Sequence, residues 1–152
     1  SNHVLYTMLR IIIIICCSLA LMACGSQEET TTTEKAVVST NPNGDSELAV
    51  LMRDMFTDSW KARQAVLRGD HVKLDAETLA RIHSAQATEP DKAASPVFKA
   101  MADSYLLSVN DLLAAEDSVE RVAVYTRMVG QCEVCHKQFC PGPLMKIGKL
   151  KL

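Results

Sequence analysis

Cys132-Glu133-Val134-Cys135-His136, close to the end of the chain, constrains it more than any other stretch. On a helix, positions i, i+3 and i+4 share one face, so the two thiols and the imidazole project the same way. Thiols at that spacing can add to the two vinyl groups of one haem as thioethers, and the adjacent histidine can then bind its iron. Three other chemistries use such a pair. A redox Cys-x-x-Cys sits near a βαβ pattern, and none precedes this one; a simple disulfide is the second. Zinc is the stronger rival, because Cys140 extends the string to Cys-x-x-Cys-His-x-x-x-Cys and supplies a fourth donor.

The other end of the chain bears on that choice. Arg10 precedes an apolar run, 11–21, that closes in Leu21-Met22-Ala23-Cys24-Gly25. A basic start, about ten apolar residues and a small-residue ending make a secretory signal. The run is short for a membrane span, which needs about twenty residues. Five consecutive isoleucines give no amphipathic face, which argues against a buried helix. The ending resembles the lipobox of bacterial lipoproteins, which implies that Cys24 is acylated and becomes the mature N-terminus. Residues 1–23 are therefore expected to be a signal peptide, with 1–7 ahead of the start-like Met8 left out of the fold. The expected home is the bacterial cell envelope, anchored by lipid. Ser26 after Cys24-Gly25 points to the outer membrane, and c-type haem is attached outside the cytoplasm.

Six cysteines then divide simply. Cys16 and Cys17 leave with the signal, Cys24 takes lipid, Cys132 and Cys135 take haem, and Cys140 alone remains. No structural disulfide is expected. A net charge of -2 offers no basic field for nucleic acid.

Residues 24–45 read as a lipidated N-terminus and linker, with four consecutive threonines and Asn41-Pro42-Asn43-Gly44. The domain is expected over 46–140. A first helix runs from about Ser46 to Arg68, capped by Ser46 and stopped by Gly69, with Leu51, Met52, Met55 and Val66 on its apolar stripe. A second starts at the N-cap Asp75 and carries Leu79, Ile82 and Ala85 inward. A polar loop over 89–95 follows. Ser95-Pro96 opens a third helix with Phe98, Met101, Ala102, Tyr105, Val109 and Leu112 on its stripe. Asp117 to Glu120 is a capping-box-like start for the fourth, which runs into the haem motif and ends near Cys140, before Pro141-Gly142-Pro143. No stretch alternates as a strand. The expected fold is all-α, an antiparallel four-helix bundle, with 141–152 as a basic, solvated tail.

On a helical wheel, Tyr125, Met128, Val129 and Phe139 fall on the side of Cys132 and are candidates to line a haem. Arg121 falls there too, either reaching a propionate or lying solvated at the helix start. Cys140 is expected to be an inert thiol, and His83 and His71 are not expected to be ligands.

Four helices with Cys-x-x-Cys-His near the end of the last resemble the cytochrome c-prime family, over roughly Glu47 to Phe139. The resemblance implies one covalent haem c with His136 as iron ligand. That family divides at the sixth iron position: high-spin members leave it open and bind gases such as NO or CO, and low-spin members fill it with methionine and carry electrons. Leu51-Met52-Arg53-Asp54, with Arg68-Gly69 further on, resembles the low-spin branch. That implies Met52 as sixth ligand, with Met55 in reserve. The tail from Cys140 resembles that of lipoprotein relatives of Bacteroidetes type. The expected function is single-electron transfer with redox partner proteins, from a membrane-anchored monohaem cytochrome that can form a homodimer. It is not expected to be an enzyme, since no nucleophile, acid or base constellation is visible. Gas binding at a five-coordinate haem and a structural zinc module are the alternatives.

Overall fold

The computed structural model describes residues 44–152 together with His3 and Asn41. The expected signal segment, the expected lipidation site Cys24 and most of the expected linker lie outside the described residues. The chain divides into two compact units, and the Cys-x-x-Cys-His motif belongs to the second, Val38–Leu152. Among the described residues all regular structure is helical. No described helix is long and apolar enough to cross a membrane.

Helix α1 spans Glu47–Arg68. Ser46 caps it by accepting a hydrogen bond from the Ala49 amide at 3.3 Å. Gly69 ends it with φ at +74°, a left-handed turn that a Cβ would strain. Leu51, Met55, Ser59, Ala62 and Val66 recur at helical spacing and are buried.

The expected second helix is broken. It consists of α2, Ala76–Ala80, and a 3₁₀ turn, Arg81–His83. Leu79, Ile82 and Ala85 are buried as expected, but the chain then leaves the helical path to serve α1. The Gln86 carbonyl accepts from the Leu48 amide at 3.0 Å, and Glu47 accepts from the Gln86 amide at 3.1 Å. Leu48 lies in the first turn of α1, whose amides have no partner within their own helix. Supplying one outweighs another turn of α2.

The expected loop over 89–95 contains a single helical turn, α3, Pro90–Ala94. Ser95 stops it because a residue before proline is pushed out of the helical region. Pro96 then starts α4, Pro96–Ala114, with Ser95 capping the Phe98 amide at 3.2 Å. Asp117 accepts from the amides of Val119 and Glu120, both at 2.8 Å, and starts α5, Ser118–Phe139.

Helices α4 and α5 share the most extensive interface, and α1 packs on α5. Val109, Leu112, Tyr125, Met128 and Val129 are fully or almost fully buried at the centre. Residues 144–150, expected to be a solvated tail, belong to the packed unit. They form α6, Leu144–Ile147, and a 3₁₀ turn, Gly148–Leu150. Ile147 and Leu150 are in the core, exposed by 6% and 2%. Leu144, Ile147 and Leu150 recur every third residue, so this short segment lays one apolar edge on the core while Lys146 and Lys149 stay outside.

Arg121 is not solvated, and it does not line the cavity shared by Cys132, Cys135 and His136. It is buried, and its guanidinium donates to the carbonyls of Glu116 and Gly69, both at 2.8 Å, and of Ala115 at 3.3 Å. Those carbonyls lie where α4 and α1 end. A cation suits both places, because helix C-termini carry partial negative charge.

Candidate cofactor site

The motif lies in the last two turns of α5, so Cys132, Cys135 and His136 share a face, and all three line one cavity. The space amounts to about 520 Å³ when the open solvent at its mouth is counted. Helix α1 lines it with Met52, Met55 and Phe56, and α4 with Met101 and Tyr105. Ile82 contributes from the 3₁₀ turn, and Ile147 and Leu150 from the C-terminal segment. The walls are apolar, with three methionine thioethers among them.

His136 is oriented. Its Nδ1 lies 2.9 Å from the Cys140 carbonyl oxygen. A carbonyl only accepts, so Nδ1 carries the proton and the Nε2 lone pair is left for a metal. Metal-binding imidazoles are typically held in this way, with the other ring nitrogen donating to a carbonyl or carboxylate.

The free thiols sit in unusual surroundings. Burial first, and then the neighbouring Cys135, push the Cys132 thiol up to about 12, and burial also raises Cys135. A redox or nucleophilic cysteine needs the reverse, a lowered pKa that exposes thiolate at neutral pH. A thioether carries neither proton nor charge, so an apolar wall suits it. Burial, with Cys132 adding to it, also holds the Tyr105 phenol well above its ordinary value, leaving a neutral hydroxyl on the cavity wall.

A measurable pH dependence is expected for the chain with free thiols. Because Cys132 is raised from 9.0 to about 12, the fold favours its neutral form. The stability this contributes is present below about pH 9 and lost as pH rises through about 12. Iodoacetamide should therefore alkylate Cys132 far more slowly at pH 8 in the native chain than in denaturant. Equal rates would contradict the raised pKa of the Cys132 thiol.

The C-terminal segment is held by side chains of α1 and α5. The Tyr125 hydroxyl donates to the Leu150 carbonyl at 2.9 Å, with the Ser59 carbonyl also within reach at 3.2 Å. Arg63 donates to the Lys151 carbonyl at 2.9 Å. Lys151 pairs with Glu133, inside the motif, at 2.7 Å, and Lys146 lies 4.7 Å from the centre of the Phe56 ring.

Of the residues expected around a haem, Met52 and Met55 line the cavity with the motif, whereas Tyr125, Met128, Val129, Phe139 and Arg121 are not among its lining. Tyr125, Met128 and Val129 are core residues. Phe139 packs edge-on against Phe98, ring centres 5.6 Å apart. A wheel discards distance along the axis: Tyr125 is seven residues, about 10 Å, above Cys132 at 1.5 Å per residue. The lining also contains residues not expected around a haem, among them Phe56, Met101, Tyr105, Ile147 and Leu150. Phe56 sits one turn beyond Met52 and was findable by spacing; the last two were hidden by reading a lysine-rich end as solvated. Among the described residues, no three His, Cys, Asp or Glu side chains are grouped so that they could hold a metal ion. His83 pairs with Asp103 at 3.0 Å.

Comparison of the chain with known protein families, with curated proteins and with solved structures finds no match in any of the three.

Proposed function

We propose that this protein is a membrane-anchored monohaem c-type cytochrome that passes single electrons between redox partner proteins. Cys132 and Cys135 would hold haem c through thioethers, and His136 would bind the iron through Nε2. The observation that carries the reading is the joint one at the cavity: the Cys-x-x-Cys-His face opens on an apolar space, with the His136 Nδ1 proton already taken by the Cys140 carbonyl. When bound, haem iron supplies one-electron chemistry, and a His/Met ligand pair raises its reduction potential. The chain's contribution is to bind and orient the group, and to keep water from most of it with side chains from α1, α4 and the C-terminal segment. In this reading Met52 would be the second side chain to hold the iron. Both Met52 and Met101 line the cavity as half-buried side chains, while Met55 is buried in the core.

The finer fold belongs to the same proposal: an antiparallel four-helix bundle of α1, α4 and α5, with the broken α2 segment as its short fourth member. Cys24 carries the lipid, which anchors the domain in the bacterial envelope, at the outer membrane, where it can pair as a homodimer. A second reading, gas binding at a five-coordinate iron, is favoured by the apolar wall and open mouth of the cavity. A structural zinc module from Cys132, Cys135, His136 and Cys140 is the third reading.

The test is the purified, membrane-extracted protein on a denaturing gel stained for haem, followed by its absorption spectrum with and without carbon monoxide. The cytochrome predicts a band that survives denaturation and a low-spin spectrum that carbon monoxide leaves unchanged. A high-spin spectrum that shifts with carbon monoxide establishes the gas-binding reading. A negative stain with bound zinc establishes the third.

A further inference from the structure

The end of α5 does more than stop a helix. We propose that Cys140-Pro141 is a positioning device for the His136 imidazole, with Pro141 as the positioning residue. The inference rests on the reading of His136 as an iron ligand, and adds to it what fixes that ligand's tautomer and donor strength.

Two hydrogen bonds join the same two residues. The Cys140 amide donates to the His136 carbonyl at 3.0 Å, as the last turn of a helix would. The Cys140 carbonyl accepts from His136 Nδ1 at 2.9 Å, which no helical carbonyl four residues onward could do. The difference lies in the backbone. Cys140 has φ −155° and ψ 79°, outside the helical region. Pro141 imposes this: it has no amide proton for the Lys137 carbonyl, its ring would clash with that carbonyl, and it drives the preceding residue into an extended conformation. In a continuing helix the Cys140 carbonyl would point along the axis to the amide of residue 144. Here the Leu144 amide bonds instead to the Pro141 carbonyl at 3.1 Å, so the Cys140 oxygen is left for the imidazole.

The consequence is chemical. A neutral imidazole has one N–H. With that proton held at Nδ1, Nε2 is fixed as the electron-pair donor of a side chain that lines the cavity. A hydrogen-bonded Nδ1 proton also makes Nε2 more basic, which favours the ferric over the ferrous state and lowers the reduction potential.

The experiment uses the full purified chain and two matched substitutions, Pro141→Ala and Pro143→Ala. Pro141 is exposed, so its replacement removes a backbone constraint without opening the core. The first readout is exchange of the His136 Nδ1 proton with water, followed by NMR in the reduced state. The second, on haem-loaded protein, is the midpoint potential. In the unsubstituted chain and in Pro143→Ala the proton should exchange slowly. In Pro141→Ala it should exchange at least tenfold faster, and the potential should move to more positive values. Fast exchange in the unsubstituted chain overturns the proposal, as does a Pro141→Ala variant with unchanged exchange and potential. A negative haem stain with a protected Nδ1 proton would sink the cytochrome reading and leave the His136–Cys140–Pro141 geometry standing. A positive stain with an unprotected proton would sink this inference alone.

Discussion

Leu150→Ala is expected to destabilise the fold by about 3 kcal/mol, within the roughly 2–5 kcal/mol found for truncating a buried leucine. Leu150 is 2% exposed, lines the cavity, and follows a segment whose only other deeply buried side chain is Ile147. The surrounding walls come from three separate helices, so they have little freedom to close over the space left behind. The measurement is urea unfolding, read as a lower midpoint with the slope unchanged. Lys151→Ala is the informative comparison. It removes an ion pair to Glu133 between partly exposed groups, with the lysine side chain 57% exposed, and should cost less than about 1 kcal/mol. If the two variants lose the same small amount, the segment does not pack against the core. If Leu150→Ala loses much more, apolar burial holds the segment and the charges only trim its edge.

Met52→Ala is expected to change the spectrum rather than the fold. In the cytochrome reading it removes the sixth ligand, and the haem passes from low spin to high spin and begins to respond to carbon monoxide. Three methionines line the cavity, so Met55→Ala and Met101→Ala belong in the same experiment. Met55 is buried beside Leu51 in the core of α1, and its truncation should read as lost stability with an unchanged spectrum. The assignment to Met52 stands on the resemblance of Leu51-Met52-Arg53-Asp54 and on its place at the cavity wall. A spectrum unchanged by Met52→Ala but altered by Met101→Ala would move the ligand from α1 to α4. No change in any of the three, from a high-spin starting spectrum, would favour gas binding.

Much of the helical architecture was legible because its signals are local. Ser46, Asp75, Ser95 and Asp117 each satisfy an amide two or three residues on, and Gly69 and Pro96 act through their own backbones. Such residues behave alike wherever the chain folds. The second helix was overestimated because its rival was distant: Gln86 bonds with Glu47 and Leu48, about forty residues away in sequence. The cavity lining was partly misread for a related reason. Periodicity says which side of α5 faces inward, but not how far along that side another element crosses it. Tyr125, Met128 and Val129 share a side with Cys132 and pack in the core, outside the cavity.

The sequence by itself determined where the long helices begin and end, and which three residues of α5 can act together, because caps, prolines and helical spacing depend on neighbours a few residues apart. Only the tertiary structure decided what faces those residues. It placed Met52, Met101 and Tyr105 across from the motif, buried Arg121 at the ends of two other helices, and folded Ile147 and Leu150 against the site. Those outcomes depend on which apolar surfaces meet and which distant carbonyls need a donor. They are settled by packing the whole unit, and no short window of sequence contains both partners.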